Sequence, residues 1–362
     1  MPEDRPEELD IPALRTQIDA IDQQILDLVI RRARVAIQVG EYKRHHNLPA
    51  YVPGREREIL ERMTPEMVHP VPLRGAVAVF REVISACRSL EEVPVVAFLG
   101  PSATFTEVAA RNVWGECVIY KPFDSLDALF EGLRSGDAVF AVVPIENSTA
   151  GTIREVLDQL ATGGDYMIVG ESYVDMHHCL LANTAPDQLR EVHSKDAALE
   201  QCRIWLKANA PQARLVPVSS TTTGAENAAA DPLIGAIGTE LAGQRYGVTI
   251  QARNIEDMKD NRTRFFTLGP TWSRPTGSDK TSLVMHLDHR PGALVQALEV
   301  LRRHQLNMTL IESRPLRMAP FEYAFFVDIE GHADDEATAA GIHDLRVVCR
   351  KVVVLGSYPK AT

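Results

Sequence analysis

Residues 14–43 read LRTQIDAIDQQILDLVIRRARVAIQVGEYK. Apolar side chains fall at Leu14, Ile18, Ile21, Ile25, Leu28, Val35 and Val39. The steps alternate between four and three, the seam of a helix that packs lengthwise against another helix. No Gly or Pro interrupts the run before Gly40. Asn47, Pro49 and Pro53-Gly54 then break it. A second helix is expected from Arg55 to about Met63, and a third from Leu73 to about Leu90, after Pro70 and Pro72. Residues 9–91 therefore read as an all-α domain.

Arg32 breaks the seam between Leu28 and Val35. A buried, unpaired arginine costs several kcal/mol. It therefore snorkels to the surface, pairs with a buried acid or meets an anionic ligand. Lys43 lies 11 residues further on, about three helical turns, and so shares a face with Arg32. Arg15 lies 17 residues before Arg32, about 25 Å along the axis. That span exceeds one small-molecule site. If both arginines serve one pocket, Arg15 comes from an antiparallel partner chain, which points to an intertwined dimer.

Beyond Pro94 the pattern changes. Apolar runs at residues 95–99, 138–143 and 166–170 alternate with helical stretches, an α/β arrangement reaching about Gly269. Residues 270–279 form a linker rich in Gly, Pro, Ser and Thr. Residues 280–358 follow a β-α-β-β-α-β order, with strands near 282–287, 309–312, 323–329 and 352–355 and helices near 292–304 and 336–349. That order is ferredoxin-like, an α+β pattern.

The whole chain has 362 residues, enough for two or three domains, and a net charge of −11. The acidic balance disfavours nonspecific nucleic-acid binding, while local basic clusters still suit anionic small molecules. No apolar run is long enough to span a bilayer. The acidic, proline-containing residues 1–10 show no signal-peptide pattern, so a cytoplasmic protein is expected. The five cysteines, Cys87, Cys117, Cys179, Cys202 and Cys349, are dispersed, as expected of reduced thiols rather than a metal or disulfide framework. His177-His178 stand side by side on an expected strand and so point to opposite faces, a structural rather than a metal-binding pattern. No metal or other cofactor is expected.

The helical segment resembles the all-helical chorismate mutase family. The resemblance rests on Leu14-Arg15 with Ile18 and Asp19-Ala20-Ile21-Asp22, on Arg31-Arg32, on Gly40-Glu41-Tyr42-Lys43, and on Arg55-Glu56-Arg57. It implies that Arg15, Arg32, Lys43 and Arg55 bind the carboxylates and ether oxygen of chorismate, with Glu56 on its hydroxyl. Such a rearrangement needs neither nucleophile nor cofactor. Confinement and stabilisation of charge on the breaking ether oxygen suffice. Val52 departs from an acidic position near the hinge. Cys87 and Glu91 stand where some relatives have Ser and Gln. A carboxylate at Glu91 repels negative charge on the ether oxygen, so Glu91 has to be protonated to donate there.

The α/β segment carries Gly100-Pro101-Ser102-Ala103-Thr104-Phe105-Thr106, Pro144-Ile145-Glu146-Asn147-Ser148-Thr149-Ala150-Gly151, Ser194 through Gln201-Cys202, and Asn261-Arg262-Thr263-Arg264-Phe265. These follow apolar runs, where α/β folds place ligand sites. No dinucleotide fingerprint or Walker loop is present. Together the motifs resemble prephenate dehydratase over residues 94–269. The resemblance implies a two-lobed fold like a periplasmic binding protein, with the second lobe at about 172–256. It implies that Thr263 assists departure of the ring hydroxyl and Arg264 anchors a carboxylate. Thr104, Glu146, Asn147, Ser148, Ser194 and Gln201 are then expected to line the cleft. Lys195-Asp196 departs from the family's usual His-Pro.

The last segment carries Arg290-Pro291-Gly292-Ala293-Leu294, Asn307 and Glu312-Ser313-Arg314-Pro315. These resemble the phenylalanine-binding ACT domain, which pairs across a dimer and binds the amino acid at the interface. Gly292, Ala293, Leu294, Asn307, Glu312, Ser313 and Arg314 are the implied L-phenylalanine site. The resemblances imply an enzyme taking chorismate through prephenate to phenylpyruvate, assembled as a homodimer or tetramer and inhibited by phenylalanine. Two alternatives stay open, a dehydratase preferring arogenate and a non-catalytic amino-acid sensor.

Overall fold

Free of Gly and Pro from Ala13 through Val39, the first segment folds as one helix, α1 (Ile11–His45), of 35 residues, about 52 Å long. Pro12 sits in its first turn, where its missing N–H costs nothing. Lys43, Arg44 and His45 occupy the last turn, where their charge complements the helix dipole. The computed structural model describes residues 10–46, 48, 51, 53–162, 164, 166–271, 273–315 and 323–361. The expected helix breakers Asn47 and Pro49 and the departure at Val52 lie outside these residues.

Three helices follow: α2 (Pro53–Glu61), α3 (Pro65–Val68), which the sequence reading missed, and α4 (Leu73–Ser89). The chain divides into two units, one from Met1–Tyr51 and Met63–Val93, the other from Val52–Arg62 and Pro94–Thr362. In the first, α4 packs along the C-terminal part of α1. The second includes α2. Its Gly54 is buried, and a Cβ there would lie 3.3 Å from Thr276 Cγ2, so the bare backbone permits the approach.

The second unit continues with β1 (Val95–Leu99), α5 (Phe105–Trp114), β2 (Ile119–Phe123), α6 (Leu126–Ser135), β3 (Phe140–Asn147), β4 (Gly151–Thr152), α7 (Arg154–Thr162) and β5 (Met167–Asp175). Next come β6 (Cys179–Leu181), β7 (Glu191–Ser194), α8 (Asp196–Gln201), α9 (Arg203–Asn209), β8 (Arg214–Pro217), α10 (Thr221–Ala230), β9 (Ile234–Gly238), α11 (Glu240–Tyr246), β10 (Ile250–Arg253) and β11 (Arg262–Gly269). One sheet has the order β2-β1-β3-β11-β5, with β4 on β3, and the other has β10-β6-β9-β7-β8. The chain thus leaves the first lobe after β5, builds the second, and returns as β11 between β3 and β5.

The last part is β12 (Asp279–His286), α12 (Ala293–Arg303), β13 (Met308–Pro315), β14 (Tyr323–Glu330), α13 (Glu336–Val348) and β15 (Lys351–Pro359), in sheet order β13-β14-β12-β15. That is the ferredoxin-like topology the sequence pattern predicts. One face of this sheet is covered by α12 and α13 around Leu283, Val300, Leu301 and Leu345. The other joins the first lobe's core, where Val284, Phe326 and Tyr358 meet Ile168, Phe266 and Leu268. At Gly356 the approach is closest, since a Cβ would lie 2.1 Å from the Ile168 carbonyl oxygen. The stretch read as a linker is held in place. Asp279 accepts from the Thr276 and Gly277 N–H groups, and the buried His332 bonds the Ser273 carbonyl at 2.8 Å. Among the described residues no helix is long and apolar enough to cross a membrane.

Candidate active sites

In the first unit, Lys43 on α1 and Glu91, just past α4, form an ion pair at 2.9 Å, with side chains 19% and 12% exposed. Gly40 makes this possible. A Cβ there would lie 2.8 Å from Glu91 Cγ. Cys87 is buried one turn before Glu91. Arg32 is half-buried on α1 and Arg15 is exposed near its start. Arg55 and Glu56 sit on α2 and belong to the second unit, where Arg55 pairs with Glu58 at 2.8 Å. The seam is open along most of its length: Leu14, Ile18, Ile21, Ile25 and Leu28 are 38–59% exposed.

In the second unit, β11 and β3 run antiparallel with Thr263 opposite Asn147. Asn147 Nδ2 donates to Thr263 Oγ1 at 2.8 Å and to Asn261 Oδ1 at 2.7 Å. Its Oδ1 accepts from the Thr149 and Ala150 N–H groups and from the Thr149 hydroxyl. The amide is thereby fixed in orientation, and Thr263 is an acceptor in this bond. A hydroxyl that accepts keeps its own hydrogen to donate elsewhere. Ser148 Oγ accepts from the Arg262 N–H and donates to the Asp260 carbonyl, tying the two motifs together. Glu146 is half-buried where the β3–β11 register shifts.

Thr104 precedes α5, and its buried Oγ1 has no hydrogen-bond partner among the described residues. Gln201 Oε1 meets the Nε2 of His178 at 2.9 Å. Burial, set against the Gln201 bond, pushes the His178 imidazole below its usual range and favours the neutral ring. With Nε2–H donating to Gln201, Nδ1 is the bare acceptor. That atom is buried and unpartnered among the described residues. Glu256 clamps this corner, taking the His178 backbone N–H at 2.8 Å and His177 Nδ1 at 2.9 Å. His177 and His178 lie in the connection between β5 and β6 rather than on the expected strand, and the hold of His178 on Gln201 carried no local motif and was missed.

Two expectations need correction. Arg264 is no free carboxylate anchor. It is 4% exposed, and its guanidinium is taken up by Glu171, Asp328 and the Tyr358 hydroxyl. Adjacent residues on a strand face opposite ways, so Arg264 turns from the side that carries Thr263. Ser194 does not open on a cleft either. It is wholly buried, and its Oγ donates to the Ile237 carbonyl at 2.8 Å, joining β7 to β9.

The lobes meet through α10, α11 and the turn before α5. Thr222 and Thr239 donate to the Ser102 and Ala103 carbonyls at 2.7 and 2.8 Å. Arg245 forks onto the buried Glu107 with two 2.7 Å bonds. Burial opposes ionisation of Glu107, but Arg245, the Ala103 N–H and Arg111 outweigh it and hold the carboxyl below its usual range.

In the ferredoxin-like part, Gly292 takes φ +81° ahead of α12, a backbone conformation that other residues rarely adopt. Ala293 and Leu294 line a cavity of about 370 Å³ with Leu287, Arg290, Tyr323 and Phe325. Ser313 pairs in register with Phe325. Arg314 is committed to Asp158 of α7 through bonds of 2.9 and 2.7 Å, and Glu312 lies 3.9 Å from Arg154. Asn307 bonds Glu330, five residues along β14 from Phe325, about 17 Å away. One copy of the domain does not bring Asn307 to Gly292.

The chain thus carries cations on a helical unit and an Asn–Thr pair in a two-lobed α/β unit. Residues 14–92 match the family model for chorismate mutase type II, and residues 96–272 the model for prephenate dehydratase. Over 357 residues the chain is 41% identical to the bifunctional chorismate mutase/prephenate dehydratase of Aquifex aeolicus (strain VF5), covering 97% of this chain and 98% of that one. It is also similar to the solved prephenate dehydratase of Arthrobacter aurescens in complex with L-Phe (33% identity, TM-score 0.68, 74% of this chain and 90% of that one). A third relative, GqqA, described as a novel type of quorum quenching acylase, shares 28% identity and a TM-score of 0.67 over 74% of this chain and 98% of that one. The chain belongs to the bifunctional chorismate mutase/prephenate dehydratase family.

Proposed function

We propose that this chain is a cytoplasmic enzyme that rearranges chorismate to prephenate and removes water and carbon dioxide from prephenate to give phenylpyruvate. L-phenylalanine, bound at an ACT domain spanning residues 280–358, lowers the second activity. The observation that carries the dehydratase reading is the 2.8 Å bond in which Thr263 accepts from Asn147. The threonine hydrogen is then free to bond the departing ring hydroxyl, while loss of the carboxylate delivers the electrons that make the ring aromatic. A threonine is a poor acid, so its contribution is a positioned hydrogen bond. The substrate carboxylate that Arg264 does not hold falls to neutral donors such as Gln201 and Thr104.

In the mutase half, Lys43 and Glu91 flank the ether oxygen, and Arg32 meets a carboxylate. A carboxylate at Glu91 repels negative charge on that oxygen, so Glu91→Gln, a permanent donor of similar shape, is expected to raise mutase kcat. A glutamine variant no faster than the wild type contradicts this role for Glu91.

The exposed seam of α1 supports a homodimer. A helix this long with an open apolar stripe is completed by burying the stripe on a second copy, which also delivers Arg15 to the opposite pocket. The ACT site follows the same logic, with Asn307 of one copy meeting Gly292–Leu294 of the other. The cavity beside α12 has apolar walls for a benzyl group and a charged rim in Asp288 and Arg290, which are 3.6 Å apart. Supplying prephenate or arogenate to the purified protein, with and without L-phenylalanine, tests this. Prephenate is expected to be the better substrate, and its turnover to fall as L-phenylalanine is added. A preference for arogenate, or indifference to L-phenylalanine, contradicts the corresponding part.

A further inference from the structure

We propose that Arg264 is a positioning residue through which the ACT domain acts on Thr263, by way of a buried cluster formed with Glu171, Lys280, Asp328, Ser282 and Tyr358. The inference rests on the reading of L-phenylalanine as an inhibitor.

The cluster is built from two domains. Arg264 on β11 donates from Nε to Glu171 Oε2 at 2.7 Å and from Nη1 to Asp328 Oδ2 at 2.6 Å. Nη2 reaches the Tyr358 hydroxyl at 3.2 Å. Lys280 joins Glu171 at 3.0 Å, and Ser282 bonds both Asp328 at 2.6 Å and Tyr358 at 2.7 Å. The Ala361 N–H closes the ring on Glu171 at 2.9 Å. Glu171 belongs to β5, beside β11, whereas Lys280, Ser282, Asp328 and Tyr358 come from β12, β14 and β15. The four charges cancel, and their side chains are 0–6% exposed.

Adhesion alone does not call for this cluster. The surrounding contact between the two parts is already apolar, through Ile168, Phe266, Val284 and Phe326. What buried charges add is direction. A guanidinium fork fixes two carboxylates at once, one from each domain. In an apolar setting neither carboxylate tolerates separation from it. A displacement of Asp328 therefore either carries Arg264 along or is resisted until the whole cluster rearranges, which is a two-state element.

Both ends of the path are anchored. On β14, Phe325 lines the cavity beside α12, and Asp328 lies three residues on, about 10 Å away. On β11, Thr263 is the residue before Arg264 and is held at 2.8 Å by Asn147. A change at the cavity passes along β14, through Asp328 to Arg264, and turns the β11 backbone that presents the Thr263 hydroxyl.

The test uses Tyr358→Phe, which removes one hydroxyl with little change of shape, and Asp328→Asn, which removes one charge. Full-length variants are assayed for L-phenylalanine binding by calorimetry and for prephenate turnover with and without L-phenylalanine. Both are expected to bind L-phenylalanine as the wild type does, while its coupling to prephenate turnover falls by about 10-fold or more, the scale of ordinary allosteric coupling, so that saturating L-phenylalanine suppresses turnover only in part. Asp328→Asn is also expected to lower kcat without L-phenylalanine while leaving KM unchanged. Wild-type inhibition in Tyr358→Phe overturns the relay and leaves the regulatory reading standing. Loss of binding together with inhibition in Tyr358→Phe also overturns it, because the hydroxyl is then only structural. A wild-type protein that binds L-phenylalanine and is not inhibited overturns the regulatory reading and the relay with it.

Discussion

Replacing Thr263 by alanine is expected to lower dehydratase kcat by about 100- to 10,000-fold, the range of a positioned proton-donating group. KM for prephenate is expected to change little, since the lost bond strengthens as the ring hydroxyl departs. The fold tolerates the change. Asn147 Nδ2 loses one acceptor but keeps Asn261 at 2.7 Å, so the cost is about 1 kcal/mol. Thr263→Ser keeps the hydroxyl and is expected to retain most activity. Chorismate consumption by Thr263→Ala should equal that of the wild type, because Lys43, Glu91 and Arg32 lie in the other unit. Steady-state rates on prephenate and chorismate, measured separately, check this. An alanine variant within a few-fold of wild type on prephenate removes Thr263 from the chemistry.

Arg32→Ala is expected to have the second large effect, on the other reaction. Chorismate carries two carboxylates into a site with no nucleophile, so orientation and charge do the work. Loss of one such cation is expected to lower mutase kcat/KM by about 100- to 1,000-fold, roughly 3–4 kcal/mol. Arg32→Lys should recover only part of it, because an ammonium cannot fork onto a carboxylate. Prephenate turnover should not change. Removing a half-buried cation from an otherwise apolar seam relieves desolvation, so thermal stability should hold or rise. Unchanged chorismate turnover would return Arg32 to a surface role.

The seam from Leu14 to Val39 made α1 legible, because helical periodicity depends only on local spacing. The Asn147 half of the Asn147–Thr263 meeting was legible, because Asn147 ends β3 as ligand sites in α/β folds do, whereas Thr263 stands at the start of β11 and reaches it because the two strands run antiparallel. Arg264 was misread because the strand pattern says that Thr263 and Arg264 oppose each other but not which face holds the cleft. The acids that bind Arg264, Glu171 and Asp328, lie 93 and 64 residues away, beyond any local signal. Ser194 failed likewise, its partner being the Ile237 carbonyl 43 residues on. The packing of α2 against β15 is likewise a long-range contact with no local signal. Asn307 and Gly292 were grouped as one site, yet Gly292 caps α12 while Asn307 stands before β13 and bonds the far end of β14.

The most direct test supplies the purified protein with chorismate alone and follows chorismate loss and phenylpyruvate formation together, with and without L-phenylalanine. The account predicts that phenylpyruvate appears without added prephenate and that L-phenylalanine suppresses it while chorismate is still consumed. Chorismate loss with prephenate accumulating and no phenylpyruvate would contradict the role given to the Thr263 site, and no loss of chorismate would contradict the role given to Arg32, Lys43 and Glu91.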